Sequence, residues 1–275
     1  MRHLVRPAQY AALACYIVFL GFPLLWLLSA SVKSSVELNS LTVSLLPSEW
    51  SWDNYTRALA RQGLLRSMWN SAVVALSTTA LVILTALPAS YVLARIKGAV
   101  RVAGVGWILI SQVFPVILVI LPLFLVLRTL GLTDSLLGLV LVHTTYTLPF
   151  ALWMLQGYVS AVPVALEEAA EVDGAGRPAV LRLIVLPLLA PGVAATAMFA
   201  FVSSWNEFFF ALVLLQSPEN YTLPITLKMF IGGEGKVALG PLAAGSVLAA
   251  IPSIVFFSLM QRKLASGLMA GAVKG

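Results

Sequence analysis

Charge is scarce in this chain, and negative charge scarcest of all. Only 11 of its 275 residues are Asp or Glu, against 17 Lys and Arg. Charged residues make up 10% of the sequence, where a soluble domain carries about 25%. That shortage points away from a water-soluble globule and toward a polytopic membrane protein. Cysteine is nearly absent: Cys15 is alone and lies inside an apolar run. This excludes a disulfide framework or a thiolate metal site within the chain, and no metal is expected. Despite a net charge of +6, no basic run with interleaved aromatics occurs, so nucleic acid is not an expected partner. Also missing are a 20–50-residue repeat, a low-complexity tract and an evident two-half inverted repeat.

What is abundant is apolar length. Hydrophobic residues account for 60% of the chain, and mean hydropathy is +0.96. Runs long enough to cross a bilayer fall at about 10–31, 69–94, 105–127, 136–159, 188–215 and 241–260. The expected fold is all-α, a single transmembrane domain over 1–275 with six helices and a loop at 160–187. The first run follows Arg2 and Arg6 like a secretory signal, but it exceeds a signal core in length and contains Pro23. It is expected to remain as the first span. Basic residues set the orientation. With the N-terminus inside, ten fall on the cytoplasmic side, including the tight cluster Arg95, Lys97 and Arg101. Seven fall outside, accompanied by six acids. Both termini are therefore expected in the cytoplasm, with Trp50, Trp52 and Tyr55 at the outer interface. Pro23, Pro88, Pro115, Pro122, Pro149, Pro191 and Pro252 recur in the spans. They are either the ordinary proline of membrane helices or the kinks of a mobile bundle lining a pathway.

Against this background the segment 167–187, EEAAEVDGAGRPAVLRLIVLP, gathers Glu167, Glu168, Glu171 and Asp173 within seven positions. Pro163 suits a helix start. The spacing predicts a helix over 164–172, a left-handed turn at Gly174 and a second helix begun by Pro178. Glu167 and Glu171 share one helical face as a like-charge pair. Ala169 and Ala170 are small enough for another backbone to approach. The segment reads either as a docking knob for a basic groove on a soluble partner or as a loop whose acids keep it solvated.

Glu168-Ala169-Ala170, then Gly174, then Ile184 and Leu186-Pro187, resembles the EAA motif of ABC importer permeases at every position and spacing. "DNYTRAL" after the first span, "SSWNEFFF" in the fifth and the C-terminal "GLMAGAVKG" are similar to the carbohydrate-uptake branch related to the maltose permeases. The resemblance covers nearly the whole chain. It implies a type I importer permease in a bacterial or archaeal cytoplasmic membrane. Its implied partners are a second homologous permease, two copies of a cytoplasmic ABC ATPase and an extracytoplasmic solute-binding protein that delivers a sugar-like solute. Coupling to the ATPase would fall to Glu167, Glu168, Ala169, Ala170, Glu171, Asp173, Gly174, Ile184 and Pro187, with Val273, Lys274 and Gly275 as a tail contact. ATP and Mg would be bound by the ATPase, so this chain needs no cofactor of its own and is not expected to be an enzyme. "GGEGKV" around Lys236 is not a phosphate loop, because it lacks the leading glycine and Val237 stands where Ser or Thr is required.

Glu207 is the acid placed within a span, beside Trp205 and Asn206. A carboxylate there costs about 2.5–3.5 kcal/mol, so a pathway or gating role is the default reading. The other reading is a structural carboxylate held by an Arg of a sister subunit. Tyr146 is a further pathway candidate, and His143 reads more simply as hydrogen-bonded packing. Two other functions compete: an ion-coupled secondary transporter, which would need more intramembrane charge than Glu207 provides, and a membrane assembly protein that transports nothing.

Overall fold

The computed structural model describes residues 2–40, 42, 44–60, 63–232 and 237–272. The tail candidates Val273, Lys274 and Gly275, and Lys236, lie outside the described residues. Regular structure among the described residues is helical, apart from one isolated bridge between Ile231 and Val237. The helices are α1 (Arg2–Ser31), α2 (Ser35–Leu38), α3 (Asp53–Ala60), α4 (Leu64–Arg95), α5 (Ala99–Ser111), α6 (Val116–Thr129) and α7 (Leu136–Ala161). They continue with α8 (Val164–Val172), α9 (Arg177–Val180), α10 (Leu186–Leu188), α11 (Ala190–Trp205), α12 (Phe209–Leu214), α13 (Leu223–Lys228) and α14 (Leu239–Ala272).

Among the described residues, four helical stretches are long and apolar enough to cross a membrane: Gln9–Ser31, Leu64–Arg95, Leu136–Ala161 and Leu239–Gln261. Two bent pairs, α5 with α6 at 98° and Arg177–Leu188 with α11 at 74°, meet the same measure of length and composition only when each pair is taken together. The continuous helix expected over 105–127 is thus two helices. Pro115 is the reason: it restricts the residue before it and supplies no N–H, and it stands as the N-cap of α6. The helix expected over 188–215 is likewise divided, since α11 stops at Trp205 and α12 begins at Phe209. By contrast, Pro88, Pro122, Pro149 and Pro252 lie inside continuous helices. Proline alone does not break these helices.

The chain divides into two compact units, Met1–Arg66 with Ile225–Ile251, and Ser67–Pro224 with Pro252–Gly275. In the first, the end of α1 is closed by Asn54, whose buried amide donates to the carbonyls of Ser31 at 3.2 Å and Lys33 at 2.7 Å. This is the physical content of the "DNYT" stretch. Those carbonyls have no partner within α1, and Tyr55 adds a 3.0 Å contact between its hydroxyl and that of Ser31. Gly240 must be glycine here, because a Cβ would fall 2.2 Å from the Asn54 side-chain oxygen. Lys33 is buried with its ammonium 4.8 Å from the Trp26 ring centroid and 3.8 Å from Glu37. The Ser44 hydroxyl donates to Glu37 at 2.6 Å and Ser48 donates at 2.9 Å, holding that carboxyl below its usual range.

In the second unit, α4, α7 and α11 meet through Val82, Ala86, Ala151, Leu155 and Ala200. Small residues let the backbones approach closely, as packing in lipid favours. Phe201 stacks on Phe256 at 4.1 Å, and Gly192 lies under the Tyr158 ring, where a Cβ would fall 2.5 Å from Cγ. Between α6 and α7 the chain turns through Asp134 at φ 51°, a left-handed conformation that Asp tolerates. Its carboxylate accepts from the amides of Gln216 at 2.9 Å and Ser217 at 3.1 Å, and from the Ser217 hydroxyl.

Burial alone would raise the Asp134 carboxyl. The Ser217 hydroxyl, the two amides and the Asn220 side chain outweigh it and hold the group at about 2, against an ordinary 3.8. The folded value lies below the unfolded one, so this stabilisation is complete above about pH 4 and lost as pH falls through about 2. Asp134→Asn is expected to lower the melting temperature of the detergent-solubilised protein at pH 7. It should also flatten the loss of stability between about pH 4 and pH 2; an unchanged acid-side slope contradicts the assignment.

Candidate functional site

The acidic segment forms the short helix α8, a tight turn and α9, as its punctuation predicts. Pro163 precedes the first turn of α8 in an extended conformation, ψ 128°. At the other end Gly174 adopts φ 86°. Its N–H donates to Glu171 O at 3.0 Å, and the Ala175 N–H donates to Ala170 O at 2.9 Å. This pair of bonds is a Schellman closure, which satisfies two of the orphan carbonyls at the helix end. The spacing from Ala170 to Gly174 is therefore set by the closure itself. After Gly176 and Pro178, α9 passes into a π-helical turn at Leu181–Val185 and then α10.

The two faces of α8 differ sharply. Ala170 is buried with Val159, Val162, Val180, Val185 and Leu189, and Ile184 and Ala175 pack against that cluster. Glu167 is also turned inward, at 7% exposure. Both of its oxygens are engaged: Arg95 Nε donates to Oε1 at 2.9 Å, with Nη2 beside it, and the Tyr91 hydroxyl donates to Oε2 at 2.6 Å. The expected like-charge pair of Glu167 and Glu171 is thus relieved, because Glu167 has its own cation. Glu168, Ala169, Glu171 and Asp173 are exposed, as is Pro187. Val172 stands out at 87% exposure and Leu183 at 71%. Of the nine residues carried by the resemblance, Glu167 and Ala170 face the chain's own interior and Ile184 is half-buried.

Tyr91 and Arg95 are site residues that sequence reasoning missed. Arg95 read only as a topology signal, and it lies 72 positions from Glu167. The available signal was general: a buried carboxylate requires a partner cation.

Of the pathway candidates, Glu207 and Tyr146 both adjoin Phe210, while Trp205 and Asn206 are engaged within α11. Trp205 is 3% exposed and stacks with Phe201 at 5.7 Å. Asn206 is exposed, its amide donating back to Val202 O at 2.9 Å. Glu207 accepts from the amides of Phe210 at 2.9 Å and Ala211 at 3.1 Å, which starts α12 and explains the divided helix. Its Oε2 also lies 3.1 Å from His143 Nε2, while His143 Nδ1 lies 2.7 Å from the Ser204 hydroxyl. The carboxylate is held within the chain, by a histidine and two backbone donors. Tyr146 is half exposed, edge-on to Phe210 at 5.5 Å, and lines a cleft of about 440 Å³ with Trp107, Gln112, Phe114 and Thr145. Among the described residues, no three His, Cys, Asp or Glu side chains are grouped to hold a metal ion.

A β-branched side chain at the φ of Gly174 is strained by about 1–2 kcal/mol. Gly174→Val is expected to speed protease cleavage within 173–176 while leaving membrane insertion intact. Unchanged cleavage contradicts the closure.

Residues 86–269 match the family described as the binding-protein-dependent transport system inner membrane component. An ORF1 product of Streptomyces antibioticus, named as an ABC transporter permease, is 56% identical over 221 residues, covering 80% of this chain and 96% of its own. The trehalose transport system permease SugB of Mycobacterium tuberculosis is 34% identical over 273 residues, covering 98% of each. A chain in the crystal structure of a bacterial ABC transporter for import of the acidic polysaccharide alginate superposes with a TM-score of 0.80. It is 25% identical and covers 94% of this chain and 96% of that one. The chain belongs to the binding-protein-dependent transport system inner membrane component family, the permeases of ABC importers, in which a separate subunit hydrolyses ATP.

Proposed function

We propose that this permease forms the pathway for a carbohydrate or a closely related polar solute, with α8 as the handle by which a cytoplasmic ATPase moves it. The substrate class is supported by relatives named for trehalose and alginate, which share hydroxyl-rich sugar rings. The handle is supported by the two-faced character of α8. Glu167 and Ala170 fix the helix to its own subunit, leaving Glu168, Ala169 and Val172 outward. An exposed valine between Glu171 and Asp173 suits a cleft with an apolar floor and a basic rim.

Orientation follows from charge. Arg95, Lys97 and Arg101 close the loop after α4, and Arg177 and Arg182 follow α8. Cations near span ends favour the cytoplasmic side, which puts both termini inside and the Asp134 loop outside. The complete importer has a second permease, two ATPase copies that bind ATP and Mg, and an external solute-binding protein. ATP binding closes the ATPases and shifts α8. The attached helices then change from inward-open to outward-open, because the two ATPase states have different affinity for the two permease states.

Glu168→Lys, or Val172→Asp, is expected to weaken ATPase association about tenfold, a change of about 1.4 kcal/mol, without loss of membrane insertion. Co-purification and solute-stimulated ATP hydrolysis in the reconstituted complex measure this. Wild-type-like association in both variants rules out α8 as the handle.

A further inference from the structure

The reading of α8 as a handle leaves open how a push on one short helix reaches the membrane-spanning helices. Covalently, α8 continues from α7 through Val162 and Pro163, and it continues to α9 through the Gly174 turn. Neither link reaches α4, whose last turns meet this region where Leu87, Tyr91 and Ala94 pack against the apolar cluster under α8. Apolar packing sets how closely the helices approach, and a hydrogen bond adds a donor and acceptor of fixed direction.

Arg95 supplies such a directional link. It is the last residue of α4, and its guanidinium engages two other helices at once. Nε and Nη2 both donate to Glu167 Oε1 on α8, and Nη2 also donates at 3.1 Å to the carbonyl of Val162, the C-cap residue of α7. That carbonyl belongs to the set a helix end leaves unpaired. Tyr91, one turn earlier on α4, takes the second carboxylate oxygen. So α4, α7 and α8 are tied at one largely buried point, with donors and acceptors fixed in direction.

The composition makes this arrangement conspicuous. A buried ion pair is weak evidence for stability, since well-packed apolar residues of similar volume often serve as well or better. A chain that is 60% hydrophobic could readily have filled this point with leucine. What an ion pair adds is a single permitted geometry, and what arginine adds over lysine is a rigid fork that reaches two acceptors together.

We propose that Arg95, Glu167 and Tyr91 form a joint that makes α4, α7 and α8 move as one body, so that they are positioning residues for transport rather than contacts to the ATPase. The assignment rests on the importer reading above and deepens it. Neighbouring glutamates divide the work: Glu168 faces the motor, and Glu167 conveys its motion to the second long helix.

The test uses the complete complex, with permease pair, ATPases and binding protein, in proteoliposomes, reading solute molecules imported per ATP hydrolysed. Glu167→Gln and Arg95→Lys are expected to lower that ratio about tenfold, and Tyr91→Phe about two- to threefold, with the half-saturating solute concentration changed less than about twofold. A wild-type ratio in assembled Arg95→Lys and Tyr91→Phe complexes overturns the joint. Reduced assembly with a normal ratio in the surviving complexes overturns it as well, by showing a purely structural role. If Glu167→Gln does not assemble, the two milder variants decide. A wild-type complex without solute-dependent hydrolysis or uptake contradicts the importer reading itself, which keeps the two failures distinguishable.

Discussion

A carboxylate removed from water needs its cation, and the form of the acidic segment depends on this constraint. Glu167 sits against Arg95 and Tyr91, so the first turn of α8 has one attachment and one roll angle about its axis. Ala170, one turn on, is then directed into the apolar cluster, and Gly174 closes the helix. Glu168, Ala169 and Val172 are left outward as a consequence. Removing one partner leaves the other charge largely withheld from water, which costs more than the few tenths of a kcal/mol at stake in the surface charges beside it.

The same logic explains where a chain so poor in acids spends several of them. Glu207 captures the amides that start α12 and meets His143. Asp134 gathers the amides of Gln216 and Ser217. Glu37 takes the hydroxyls of Ser44 and Ser48 beside buried Lys33. In each case a carboxylate starts a helix or ties down a loop by gathering nearby backbone and hydroxyl donors. Glu207, the natural candidate for a coupling ion in a secondary transporter, already has three protein partners. The importer reading does not require that carboxylate to be free.

Much of this was legible in the sequence because it depends on local rules. The bounds of α8, the left-handed glycine and the second helix after Pro178 follow from caps and turns, which act over a few residues. The apolar runs gave the long helices for the same reason. Less legible was whatever depends on contacts distant in sequence. The inward turn of Glu167 needs Arg95, and the burial of Trp205 needs Phe201 and the core around it. The break after Ser111 was signalled by Pro115, but six other prolines in apolar runs carried the same signal. Pro88, Pro122, Pro149 and Pro252 left their helices continuous. Hydropathy registers length and composition, and both halves of a bent pair have the same composition as a straight span.

The central claim is that α8 is a water-facing handle on the cytoplasmic side, gripped by an ATPase. The direct measurement places a cysteine at Asp173 in a chain whose Cys15 is replaced by serine, then adds a membrane-impermeant thiol reagent. The account predicts modification in inverted membrane vesicles, protection there when the ATPase is bound, and none in right-side-out vesicles. Modification of residue 173 in sealed right-side-out vesicles contradicts it.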